Sequence, residues 1–191
     1  IIIMIIYEII TGRRFTADNS FEITPNTWII SDTHFFHDNI GRYCNRPENW
    51  QELIIQNWND LVSPEEPVFH LGDFAWARKA NFELLTSVLH GRLILIRGNH
   101  DRLSRTYYEA HGVTLFAEPL QIKYEDHLQL LFSHHPVIPL PEGVINLHGH
   151  IHNSPPPPEG SNLGSRHINM CVEVREYRPW RLREIIELNN R

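Results

Sequence analysis

Five short apolar runs in this chain each stop at a cluster of Asp, Asn or His. Trp28, Ile29 and Ile30 lead into Asp32, Thr33 and His34, and the run ending at Phe69, His70 and Leu71 leads into Gly72 and Asp73. Residues 93–96 lead into Gly98, Asn99, His100 and Asp101, and residues 128–132 into Ser133, His134, His135 and Pro136. Residues 144–147 lead into His148, Gly149, His150, Ile151 and His152. A short apolar run bounded by turn residues reads as a buried strand. Residues 51–62 place Leu53, Ile54, Trp58 and Leu61 at helical spacing, residues 81–89 do so with Phe82, Leu85 and Leu89, and both read as crossover helices. Strands alternating with such helices build an open α/β sheet, whose ligands collect at the carboxyl ends of the strands. All five polar clusters belong to that edge.

Together the clusters offer imidazole nitrogen, carboxylate oxygen and one amide oxygen, a set suited to Mn, Fe, Zn, Ni or Co rather than to a Cys-rich structural zinc. The chain has 13 histidines and only two lysines, Lys79 and Lys123. His148, His150 and His152 alternate and would share one face if extended. The adjacent His134 and His135 cannot point the same way from a strand, so at most one of them is expected to be a ligand. Taken singly, each cluster also reads as an ordinary turn; five such coincidences at five strand ends do not.

The length of 191 residues predicts a single domain over residues 1–191, with its core over 27–188 and a strand or hairpin over 1–26. The second half reads mainly as strands, at 128–132, 144–147 and 168–174, before a short helix at 182–188. The longest apolar run, residues 1–6, falls far short of the roughly 20 residues that span a bilayer and lacks the flanks of a signal peptide. No membrane association is expected, and Met4 is the expected start of translation. Cys44 and Cys171 form no disulfide framework, which fits a reducing cytoplasm, the expected location. A net charge of -6 disfavours a polymeric nucleic acid as partner; oligomeric state is left open. Residues 153–166, with prolines at 155–158, read as a long loop beside the site.

The blocks D-x-H, G-D, G-N-H-D, H and G-H-x-H, standing in order as Asp32 and His34, Gly72 and Asp73, Gly98 to Asp101, His134, and Gly149 to His152, resemble the calcineurin-like metallophosphoesterase superfamily. The likeness extends from about residue 27 to 188. Ser31 to His37, Phe69 to Phe74, His148 to His152 and Glu173 to Pro179 are similar to its small bacterial and phage branch. The resemblance implies a four-layer α/β sandwich with two facing mixed β-sheets and a binuclear metal centre at one edge. It assigns Asp32, His34 and His152 to the first metal, Asp73 to a bridge, and Asn99, His134 and His150 to the second. Two divalent ions are implied, Mn2+ first, with Fe, Zn, Ni or Co as alternatives. His100 would sit over the substrate with Asp101 orienting and charging it. His37 and Arg46 are further candidates for substrate contact, against a surface position for His37 and a structural ion pair for Arg46. Phe36 stands where that branch usually has Gly, which implies a narrower mouth.

Two metals sharing one water lower its pKa and hold both nucleophile and phosphoryl oxygen, so hydroxide attacks and no side-chain nucleophile is required. With Asp32, Asp73 and a bridging hydroxide, two divalent ions leave about one net positive charge, which matches a phosphodiester. The expected activity is therefore hydrolysis of small or nucleotide-type phosphodiesters, weaker on monoesters. By resemblance 2',3'-cyclic nucleotides come first, with dinucleoside polyphosphates or a phosphoprotein behind them. The competing readings are a non-catalytic interaction scaffold on the same fold and a DNA nuclease. Retention of every ligand disfavours the scaffold, and the short chain and negative charge disfavour the nuclease.

Overall fold

The computed structural model describes residues 23–76, 78–124, 128–155 and 163–189. Strand and helix alternate first through β1 (Trp28–Ile30), α1 (Asp38–Tyr43), α2 (Trp50–Leu61), β2 (Pro67–His70), α3 (Lys79–Val88), β3 (Arg92–Ile96), α4 (Arg105–Ala110) and β4 (Thr114–Phe116). Then come β5 (Leu120–Tyr124), β6 (Leu128–Ser133), β7 (Val144–His148), β8 (His167–Asn169), a 3-10 turn at Val172–Val174, β9 (Trp180–Arg181) and α5 (Leu182–Asn189). The N-terminal hairpin expected over 1–26 lies outside the described residues except for 23–26, as does most of the proline-rich part of the 153–166 loop.

One sheet has the order β4-β3-β2-β1-β9 and the other β5-β6-β7-β8. The first is parallel apart from β9, and the second is parallel from β6 to β8 with β5 antiparallel. Both are mixed, as the family resemblance implied. The central strands of the first sheet are apolar at nearly every position because both faces are covered. Trp28, Ile30, Val68 and Leu95 pack with Ile54, Trp58, Phe82, Leu85 and Tyr108 of the helices in one core. Ile29, Phe69, Ile94 and Ile96 pack with Ile122, Leu130, Phe132, Leu147 and Ile168 of the second sheet in the other. The two sheets thus face each other across an apolar layer. The segment after β6 folds back on the second sheet: Val137 donates its N–H to Asn146 Oδ1 at 2.9 Å and its carbonyl meets His167 Nε2 at 3.0 Å.

The result for function is alignment. β1, β2 and β3 end beside β6 and β7, so Gly149 donates its N–H to the His134 carbonyl at 2.9 Å while Asp32 takes a hydrogen bond from the backbone of His150. Phe132, fully buried, lies at the centre of the layer that keeps the sheets in this relation, its ring 5.3 Å from that of Phe69. Replacing Phe132 by Ala is expected to lower unfolding free energy by about 3–5 kcal/mol, measured by urea denaturation.

Candidate metal centre

Asp32, His34, Asp73, His150 and His152 all have positive φ, between 49° and 69°. Asp and His tolerate this left-handed conformation better than most residues, but it still costs about 1–3 kcal/mol per residue unless surroundings enforce it. They do. Asp32 N–H donates to Gly72 O at 3.0 Å and His34 N–H to Asp73 O at 2.9 Å. Each reversal turns a side chain off the end of its strand toward the common edge. Close approach is part of the arrangement, since a Cβ at Gly149 would collide with Asp32 Oδ2 and Ser31 Oγ.

The side chains converge with some of their polar atoms left unpaired. Asp32 Oδ2 accepts from Ser31 Oγ at 2.5 Å, His150 N–H at 2.9 Å and Cys171 Sγ at 3.3 Å. Its other oxygen, Oδ1, is buried with no hydrogen-bond partner, and so is His34 Nε2. Oδ1 stands 3.7 Å from both His34 Nε2 and His152 Nε2. Asp73 Oδ1 accepts the His100 N–H at 2.8 Å, leaving Oδ2 3.4 Å from His34 Nε2 and 3.5 Å from His134 Nε2. His134 Nδ1 is paired with the Leu71 carbonyl at 3.0 Å and must donate there, so in the neutral ring Nε2 presents a lone pair. That lone pair faces Asn99 Oδ1 at 2.9 Å and His150 Nδ1 at 3.2 Å. Buried polar atoms without a partner, as Asp32 Oδ1 and His34 Nε2 are, are costly unless a cation meets them. Their separations suit neighbouring ligands on ions with bonds of about 2.0–2.2 Å. Asp73 Oδ2 stands between the two groups.

Behind the donors lies a second layer that the motif alone did not reveal. His152 Nδ1 meets Glu173 Oε1 at 2.9 Å, an oxygen that also accepts from Arg46 Nε at 2.8 Å and Nη2 at 2.5 Å. This is the usual way a carboxylate fixes the tautomer of a ligand histidine. Burial acts to lower the pKa of His152, but hydrogen bonds with Cys44 and Glu173 and the charge of Asp32 outweigh it and push it up to about 10. A cation binding at Nε2 therefore displaces a proton. Burial alone would raise the Asp32 carboxyl, but the surrounding His34, His134 and His152 hold it well below the usual carboxylate range.

His70, inside β2, ties the two ligand loops together. Thr33 Oγ1 donates to Phe74 O at 2.7 Å and so accepts from His70 Nε2 at 2.9 Å, while His70 Nδ1 accepts the Gly72 N–H at 3.2 Å. The imidazole is satisfied only when neutral, and burial lowers its pKa to about 3.

Several expectations need correction. Asp101 does not orient His100: Oδ2 accepts from Asp73 N–H at 2.7 Å and Gly98 N–H at 2.8 Å, and Oδ1 from Phe74 N–H at 3.1 Å. It shapes the Asp73 turn instead, and burial and the charge of Asp73 push its pKa up to about 6. His100 Nδ1 is buried without a partner, and its Nε2 lies 3.9 Å from Asp73 Oδ2. Arg46 does not face a substrate. It is buried, donating from Nη1 to Thr33 O at 2.8 Å and from Nη2 to Asp32 O at 2.7 Å, besides its pair with Glu173. His37 does reach the site, its ring 5.5 Å from His34 and 5.6 Å from His100. His148 shares no face with His150 and His152, because it is still in the strand and they are not; its Nδ1 turns to Gly149 O. His135 joins His134 and His150 after all, with its ring 3.8 Å from that of His150, since β6 ends at Ser133 and strand alternation no longer applies. Phe36 keeps a positive φ of 63°, and its ring packs on the helical core.

Residues 25–180 match the calcineurin-like phosphoesterase family. The chain belongs to that family. Membership implies a dinuclear divalent metal centre and metal-dependent hydrolysis of a phosphoester. An uncharacterized protein of Methanocaldococcus jannaschii, MJ1445, is 35% identical over 174 residues, covering 84% of this chain and 89% of its own. The gene 66 protein of Mycobacterium phage D29 is 30% identical over 157 residues, covering 67% and 79%. A crystal structure of a protein of unknown function from Aquifex aeolicus, AQ665, superposes with a TM-score of 0.66 at 27% identity, covering 85% of this chain and 98% of that one.

Two outcomes follow from the layer behind the ligands. Arg46→Met strands the buried Glu173 carboxylate, so stability should fall by about 3–5 kcal/mol and metal retained after dialysis should fall with it, measured by denaturation and elemental analysis. Below its ordinary pKa near 6.5 the unfolded chain protonates His70 while the folded chain refuses the proton down to about 3. Stability conferred by neutral His70 is thus full above 6.5 and lost as pH falls. Between about pH 5.5 and 4, metal-free wild type should lose about 1.4 kcal/mol per pH unit more than His70→Gln; equal slopes in urea titrations would refute this.

Proposed function

We propose that this protein is a dimetal phosphodiesterase acting on small or nucleotide-type diesters, with weaker monoesterase activity and Mn2+ as its preferred ion. The observation that carries the reading is Asp73 Oδ2, which stands 3.4 and 3.5 Å from the Nε2 atoms of His34 and His134 and so between two groups of candidate ligands. Asp32, His34 and His152 would hold one ion, Asn99, His134 and His150 the other, and Asp73 both. Such a pair supplies a nucleophile at neutral pH and charge stabilisation for the phosphoryl oxygens. The imidazole-rich set favours Mn2+ and later ions over Mg2+, which prefers oxygen.

The chain itself does the rest. Arg46, committed to the carbonyls of Asp32 and Thr33, adds no positive charge at the mouth. The centre is left close to singly positive, and that favours a diester monoanion over a monoester dianion. His100 is the side chain best placed to meet a departing oxygen. Its ring stands 5.2 Å from that of His34, it is only partly buried, and its backbone is fixed by Asp73. Burial lowers its pKa although Asp73 acts to raise it. Cyclic nucleotides fit this arrangement, since opening a 2',3'-cyclic phosphate leaves an alkoxide that must gain a proton.

The test restores Mn2+ or Mg2+ separately to stripped protein and assays a cyclic nucleotide, bis-p-nitrophenyl phosphate and p-nitrophenyl phosphate. Diester turnover should exceed monoester turnover, with Mn2+ above Mg2+. His100→Ala should keep both metals and lose about 10²- to 10⁴-fold on the cyclic diester, against much less on the nitrophenyl ester, whose phenolate leaves unaided. Equal slowing at full metal occupancy would make His100 an electrostatic stabiliser rather than an acid.

A further inference from the structure

Of the five tryptophans, Trp28, Trp50 and Trp58 are buried and Trp180 is half-buried, whereas Trp76 is 40% exposed. An isolated exposed apolar side chain needs no explanation; this one has an address. Its indole meets the His37 ring edge to face at 4.4 Å and lies 5.5 Å from the His100 ring at a tilt of 36°. His37 and His100 in turn stand 5.5 and 5.2 Å from the ligand His34. Rings therefore lead outward from the metal centre and end on a partly open indole.

Its backbone is held. Trp76 donates its N–H to Phe35 O at 2.8 Å, next to the bridge between Phe35 and Ala75, and its carbonyl accepts from Arg78 at 2.7 Å. The segments carrying His34 and Asp73 are thus the ones that fix Trp76. A flat, polarisable surface at a set distance from a phosphate-binding centre suits a second flat ring joined to that phosphate.

We infer that Trp76 is a stacking platform for the nucleobase of a nucleotide substrate, the element that selects nucleotide-type esters over simple alkyl ones. The inference rests on the phosphodiesterase reading for its substrate, but stacking is an equilibrium property that can be measured without turnover. Because every base has a π-face, stacking tolerates base identity. The platform should favour the larger purine only modestly.

The experiment is calorimetric binding of AMP, UMP and ribose 5-phosphate to the full, Mn2+-loaded protein, as wild type, Trp76→Phe and Trp76→Ala. Wild type should bind AMP about 5- to 150-fold more tightly than ribose 5-phosphate. Trp76→Ala should remove that preference without changing affinity for ribose 5-phosphate, and Trp76→Phe should keep most of it. Equal affinity of wild type for the two ligands would overturn the inference. So would a Trp76→Ala variant that weakens both equally, which would make Trp76 a support for His37 and His100. Failure to hydrolyse any diester would sink the proposed function while leaving this comparison intact.

Discussion

One buried guanidinium joins the parts of the site. Arg46, on the segment between α1 and α2, reaches the carbonyls of Asp32 and Thr33 and shares Glu173 with His152. Trp50 of α2 stacks beneath it at 4.6 Å. A charge this deep is stable only when its donors are used, and here Nε, Nη1 and Nη2 all are. The reversed backbone at Asp32 and the ring orientation of His152 come from separate sheets, and both depend on the same cation.

The structure divides its polar groups between two tasks. Asp101, His70, Arg46 and Glu173 spend their hydrogen bonds on backbone, on the Thr33 hydroxyl, on the His152 ring and on one another, and this makes the unusual conformations around Asp32 and Asp73 tolerable. Asp32 Oδ1 and His34 Nε2 are left without a hydrogen-bond partner. The first group steadies the backbone and ring orientations that the second needs, which is how a fold keeps electrostatic preorganisation without collapsing around it.

Much of this could be read from the sequence because apolar runs and their polar terminators are local signals. The strands carrying the five clusters lie where the runs placed them, and the two crossover helices differ from their expected ends by one or two residues. The six-residue helices α1 and α4 and the short strands β4 and β9 went unread, being too short for a period to show, while β5 was missed although Leu120, Ile122 and Tyr124 alternate along it. Residue order also says which side chains reach an edge but not which way each then turns. Asp101 and Arg46 look like participants in chemistry, and three backbone N–H groups claim the one while two carbonyls and Glu173 claim the other. The alternation of His148, His150 and His152 misled because the extended conformation stops at His148. The 168–174 run likewise ends as a strand at Asn169, and the 3-10 turn that follows brings Glu173 to His152.

The donors are divided by sheet. Asp32, His34, Asp73 and Asn99 follow strands of the first, and His134, His150 and His152 follow strands of the second. Away from this edge the sheets are held together by apolar contact, which resists separation better than it resists sliding. Ion ligation has narrow distance tolerances, so in the proposed centre it would act as a gauge of how the two layers are aligned. A disturbance deep in the apolar layer, many residues from any ligand, would then register as altered ion affinity before it registered as loss of fold.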